Sequence, residues 1–156
     1  MLDPDNPIVK LCAAGMRAEA ERCADDARAL FLQAWDARTD DYEACIAAHF
    51  VARHADRPQE ALHWNQVALA HADGVDSERV QDFYPSLYLN LGFAHEVLGQ
   101  HAEAARHYAQ AAAAAVALPA SPYTDMVREG IRNALQRMTE ASGQARQTCQ
   151  APLTPP

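Results

Sequence analysis

Seven histidines and four cysteines are the residues of this 156-residue chain best suited to chemistry, and their spacing decides whether they can perform it. A metal site built on helices needs two histidines four apart on one face, or a histidine three residues from a carboxylate, because those separations bring two donors to one side. His49 and His54 are five apart, and His95, His101 and His107 follow at intervals of six. Glu60 with His63 gives a single pair of the right spacing, and no HExxH occurs. Cys12, Cys23, Cys45 and Cys149 form neither a CxxC nor a regular framework, so they read as reduced thiols acting as small hydrophobes. There is no GxSxG, no phosphate-binding loop and no dinucleotide fingerprint. The sequence therefore predicts no catalytic residue, no metal site and no cofactor, and a protein that is not an enzyme.

The elements that must position any functional residue are helices. Sustained alternation of Val, Ile and Thr is missing, whereas apolar residues recur at helical spacing from Ile8 to Met138. Much of the 49% hydrophobic content is Ala, which favours helix without filling volume and so points to closely packed helices. A net charge of -8 argues against nucleic acid and against an anionic membrane, since both are bound through Lys and Arg. Met1 to Pro7 lacks a basic segment followed by an apolar one, and the apolar run from Ala111 to Leu118 is too short to cross a bilayer, so a cytoplasmic location is expected.

Punctuation divides the chain. Asn6 with Pro7, Asp40 with Glu43, Pro58 after Asp56-Arg57, Pro85 after Asp82-Phe83-Tyr84, and Ser121 with Pro122 each place a cap or a first-turn proline before a periodic stretch. About six helices and a final one result. The last, over 122–141, sets Tyr123, Met126, Val127, Ile131, Leu135 and Met138 against a charged face. Beyond Ser142-Gly143 the chain turns polar and Pro-rich, which predicts a disordered tail over 143–156 after a single domain over 1–142.

An internal repeat organises the helices. In the stretch from Tyr88 to Ala111, Tyr88 is followed by Leu91-Gly92, Gly99 comes seven residues after Gly92, and Ala104, Tyr108 and Ala111 close the pattern. Steps of 12, 4 and 3 lead from Gly92 to Ala111, and the same steps join Gly15, Ala27, Phe31 and Ala34, and again His49, Ala61, Asn65 and Ala68. Gly15 and His49 are 34 residues apart, while His49 and Gly92 are 43 apart, so about nine extra residues lie near Gly74 to Val80. That junction reads either as a kinked long helix or as a separate short turn. The pattern resembles the tetratricopeptide repeat, as in the small stand-alone repeat proteins of bacteria.

The resemblance covers roughly residues 8 to 118, with copies over 8–39, 42–74 and 85–118. It implies an all-α fold, a right-handed superhelical array of about three antiparallel helix pairs closed by an amphipathic capping helix over 122–141. Its concave face would be lined by the first helix of each pair, here by Met16, Glu19, Phe50, Arg53, His54, Asn90, Phe93, Glu96 and Val97. Aromatics interspersed with charges there suit a protein or peptide partner, which makes a protein-interaction or scaffolding module the leading expectation. In the subgroup that grips a terminal carboxylate, Lys, Arg and Asn recur in the groove; Asn90 matches and Arg53 matches loosely, too little to imply such a clamp. Two alternatives remain: a pocket for a small molecule or peptide, closed by the capping helix and lined by Phe50, Phe93, Tyr84 and Tyr88, and a homodimer that buries an exposed end.

Overall fold

The computed structural model describes residues 3–149, the side chains of residue 77 and of residues 142–149 excepted. Among them all regular structure is helical: α1 (Pro7–Ala20), α2 (Ala24–Ala37), α3 (Asp41–Ala52), α4 (Pro58–Asp73), the single turn α5 (Ser77–Val80), α6 (Tyr84–Val97), α7 (His101–Ala115) and α8 (Pro122–Cys149). The chain is all-α, and no described helix is long and apolar enough to cross a membrane.

Local chemistry explains where the helices begin. Asn6 Oδ1 accepts from the N–H groups of Ile8 and Val9 at 2.8 and 3.2 Å, satisfying donors that the first turn of α1 leaves unpaired. Asp40 does the same for α3 by accepting from Glu43 N–H at 2.8 Å. The reciprocal half of that capping box is redirected. Glu43 accepts from the N–H and hydroxyl of Thr39 at 2.7 and 2.8 Å, and from Asn6 Nδ2 at 2.8 Å, and so ties the start of α1 to the start of α3. Burial alone would raise the Glu43 carboxyl, but the hydrogen bonds from Asn6 and Thr39 outweigh it and hold the group below its ordinary range.

Three consecutive pairs, α1 with α2, α3 with α4, and α6 with α7, fold back on themselves, and each following helix packs on the pair before it. Small residues permit the close approach. A Cβ at Gly15 would lie 2.7 Å from Phe31 Cζ, and one at Gly92 would enter the Tyr108 ring, 3.1 Å from its Cγ. Ala27, Ala34, Ala68, Ala104 and Ala111 are wholly buried at the same seams. The middle pair reverses the sizes, with the bulkier His49 on α3 and the smaller Asn65 on α4, both buried. Trp64, next to Asn65, does not fill this seam, because it packs edge-on against Trp35 with centroids 4.9 Å apart. Phe83 serves instead, its ring 4.6 Å from that of His49.

Two of the turns are the same. Arg22 has φ 64° and Gly99 has φ 72°; around each, the residue itself donates to the carbonyl three back and the next residue to the carbonyl five back, at 2.9 Å throughout. This is a helix ending with a left-handed residue, which glycine adopts without strain and arginine does not. The long junction proves to be a separate turn, with Val80 and Phe83 buried as a plug. Of the preceding pair, α4 is the main neighbour of α6, while α3 reaches α6 through contacts such as His49 to Asn90.

At the far end α8 runs past its expected limit of 141. It continues through Ser142-Gly143 to Cys149, so 143–149 are helix in place of the predicted disorder, and the remainder of that tail lies outside the described residues. Gly143 costs a helix about 1 kcal/mol relative to Ala, but Ala141, Gln144, Ala145 and Arg146 around it are strong helix formers and no proline intervenes before Pro152.

Candidate binding groove

Helix periodicity carries Glu19, Arg53 and Glu96 to one turn beyond the small slot of their helices, and two ion pairs result. Arg53 Nε and Nη2 donate to the two Glu19 oxygens at 3.2 and 3.0 Å, and His54 Nε2 meets Glu19 Oε1 at 2.7 Å. Arg137 of α8 grips Glu96 in the same two-point manner at 2.9 Å, while the buried Tyr108 hydroxyl donates to the same carboxylate. The Arg137 hydrogen bond, joined by that of Tyr108, holds the Glu96 carboxyl below its usual range against the opposing effect of burial. Glu96 therefore fastens α8 to the third pair, and its carboxylate is committed there.

No such bridge joins α3 to α6, and a groove of about 450 Å³ opens at that step. The turn from α3 to α4 supplies Arg53 and Arg57, α4 supplies Asn65, and α6 supplies Asn90, Phe93 and Val97. Phe93 is 57% and Val97 52% exposed, large fractions for apolar side chains on a helix that is otherwise well covered. On the floor, Asn65 Nδ2 donates to Ala61 O at 2.9 Å, which fixes the orientation of the amide and leaves Oδ1 without a hydrogen-bond partner. Asn65 is only 5% exposed. Beside it Asn90 Nδ2 lies 3.4 Å from His49 Nδ1. Burial, aided by the Arg53 charge, pushes His49 down to about 3, so the ring is neutral and can accept that bond.

Arg53, Asn90 and Phe93 are thus brought together, and Glu19 and His54 stand behind Arg53. Phe50 is buried, stacked on Phe31 at a centroid distance of 5.3 Å, and works as packing. Met16 is exposed on α1 away from the groove lining. Tyr84 and Tyr88 stack on each other at 5.7 Å, with the Tyr84 hydroxyl on Asp73, so neither they nor Phe50 share a cavity with Phe93. Several lining residues, the polar Arg57 and Asn65 among them, are not assigned to the groove by the sequence alone. Asn65 had a visible signal, since it occupies the slot where the other two copies carry an aromatic; Arg57 lies in a turn, where no periodicity assigns a face.

Three further histidines are engaged away from the groove. His71 pairs with Asp41 at 2.7 Å, and His95 stacks on His107 at 5.2 Å. Among the described residues no group of three or more His, Cys, Asp or Glu side chains is placed to hold a metal ion. Burial raises the Cys12 and Cys45 thiols to about 12, far from the reactive thiolate range. The groove, with an apolar strip, two guanidiniums and two amides, is equipped to hold a ligand by contact and hydrogen bonding. No family model matches the chain, and no curated protein or solved structure matches it either.

Proposed function

We propose that this protein is a tetratricopeptide-type helical array that acts as a protein-interaction module, taking a segment of a partner chain into the groove between α3 and α6. Three repeated details support the array: the Gly15–Phe31 and Gly92–Tyr108 contacts, the matching turns at Arg22 and Gly99, and the Glu19–Arg53 and Glu96–Arg137 pairs. A right-handed superhelix is the geometry such stacked pairs adopt. The observation that carries the binding reading is the exposed Phe93 and Val97 strip set beside Arg53 and Asn90 in a groove of about 450 Å³. Aromatic anchors supply burial there, and the polar groups set direction.

Selection from a random-peptide display against the purified protein tests this. Selected peptides are expected to shift the amide resonances of residues 52–58 and 90–97, and to lose binding on Phe93→Ser. Selection of no peptide, or shifts confined to other helices, would overturn the proposal.

A further inference from the structure

Four aromatic rings form a column along the seam of α6 and α7. Tyr84 stacks on Tyr88, Tyr88 on His107 and His107 on His95, with centroids 5.7, 6.3 and 5.2 Å apart and planes within 26° of parallel. The last two rings are more than nine-tenths buried. His95 stands two residues from Phe93 and two from Val97, and so on the opposite side of α6 from the groove. Gln100 clasps it twice: the Gln100 N–H donates to His95 O at 2.9 Å, and the His95 Nδ1–H donates to Gln100 Oε1. Stack and clasp together hold the end of α6 that presents the apolar strip of the groove.

His107 is built to carry no charge. Its Nε2 faces Arg106 Nη2 at 3.2 Å and, meeting a donor, accepts, which places the ring proton on Nδ1, where no partner among the described residues receives it. A second proton would turn Nε2 into a donor aimed at a guanidinium and would set a buried cation against His95. Glu103, the carboxylate that acts on both rings, is engaged by Arg106 at 2.6 and 3.0 Å. Arg137 of α8 is committed to Glu96, and Asp73 of α4 to the Tyr84 hydroxyl at the far end of the column, so neither serves as a counter-charge for the pair. Burial, then the Arg106 and His95 charges, lower the His107 ring below its ordinary value of 6.5, with Gln110 and Glu103 opposing.

Resting on the binding role proposed above, we infer that the His95–His107 stack is an acid-opened latch: protonation of His107 parts the rings, frees the end of α6 from α7, and lets Phe93 and Val97 leave the groove wall so that a bound segment is released. The sign follows from linkage. A ring displaced into water takes up a proton near 6.5 and a ring in the stack does not, so each pH unit below 6.5 favours the displaced state by up to about tenfold. Tyr84 and Tyr88 stay neutral over this range and keep the start of α6 in place.

Hydrogen exchange of the free protein between pH 7.5 and 5 reads the latch without a ligand. Protection factors of residues 93–100 should fall by up to about tenfold per pH unit below 6.5 in the wild type. They should stay level in His107→Phe, which keeps a ring in the column and takes no proton, whereas His49→Gln should leave the fall in place. Arg106→Gln, a change at an exposed side chain, should make the fall shallower, because the stacked ring then holds a proton more easily. Release is read with a fluorescent, histidine-free peptide from the display selection. Its dissociation should be about tenfold faster at pH 5.5 than at 6.5 from the wild type and equal at the two from His107→Phe. Level protection in the wild type, the same fall in His107→Phe, or peptide dissociation indifferent to pH would overturn the latch and leave the interaction role standing. Selection of no peptide would remove that role and the release with it, whatever the exchange shows.

Discussion

Glu19 and Arg53 lie 34 residues apart and are joined by a two-point ion pair between α1 and α3, and Glu96 with Arg137 repeats the arrangement between α6 and α8. The arginines are nearly half exposed in both pairs, so solvent screens the attraction. Double-mutant cycles to Ala should return coupling energies within about 1 kcal/mol for each. Glu96→Ala should nevertheless cost about 1–3 kcal/mol in urea unfolding, because it also strips the buried Tyr108 hydroxyl of its acceptor. Glu19→Ala takes a partner from His54 as well, but that ring keeps some contact with solvent where the Tyr108 hydroxyl has none, so the cost should be smaller, about 1 kcal/mol.

Gly15→Ala and Gly92→Ala each force a methyl group into an aromatic ring across the seam. Overpacking of this kind costs about 1–3 kcal/mol. Thermal unfolding should show both losses, and Gly15→Ala combined with Phe31→Leu should recover part of the first. Equal stability of Gly15→Ala and wild type would mean that the first pair sits farther apart than described.

The two left-handed turns make a prediction of opposite signs. Arg22→Gly should stabilise by roughly 0.5–1 kcal/mol, since it relieves a φ of 64° that costs an L side chain about 1–2 kcal/mol and loses part of that gain to a freer unfolded chain. Gly99→Ala should destabilise by about 1 kcal/mol, as nothing but the backbone angle changes there. Urea midpoints of the two variants decide the matter.

Stability should depend on pH through the buried histidines. His49 falls from an ordinary value of 6.5 to about 3 in the folded protein, and His107 is lowered too, by burial and then by the Arg106 charge. A lowered histidine leaves the unfolded chain binding more protons, so stability is full above pH 6.5 and declines as pH falls from 6.5 toward the folded value. Each group contributes a slope of up to about 1.4 kcal/mol per pH unit. Glu43 and Glu96, also lowered, add their loss only below 4.5. Urea titrations between pH 7 and 5 should therefore show a decline that His49→Gln makes shallower; an unchanged slope would mean that His49 is charged in the folded state.

Local and periodic features of this fold were legible from sequence, and offsets between distant segments were not. Asn6, Asp40 and Ser121 announce helix starts because a cap acts within three residues, and the Gly15, Ala27, Phe31 ladder is readable because small and aromatic residues alternate at fixed steps. The side toward which Phe50 points was not readable. From Tyr42 to Ala52 every residue of α3 is buried, so no polar face shows which way the helix is turned. Glu96 read as a groove residue because its partner lies 41 positions away on another helix. The groove brings the turn after α3 and the start of α4 against α6, across a junction where Phe83 meets His49, and no short-range pattern encodes how those segments meet.

The seams lined by Ala27, Ala34, Ala68, Ala104 and Ala111 also set the protein's tolerance to change. An alanine has almost nothing to lose on truncation, whereas any larger residue at these positions must push two helices apart. Variation accumulating in such a chain would be filtered by bulk more than by polarity: Ser or Gly should persist at the seams where Val or Leu does not. Homologues that drift in this way would keep the architecture while shedding recognisable side chains.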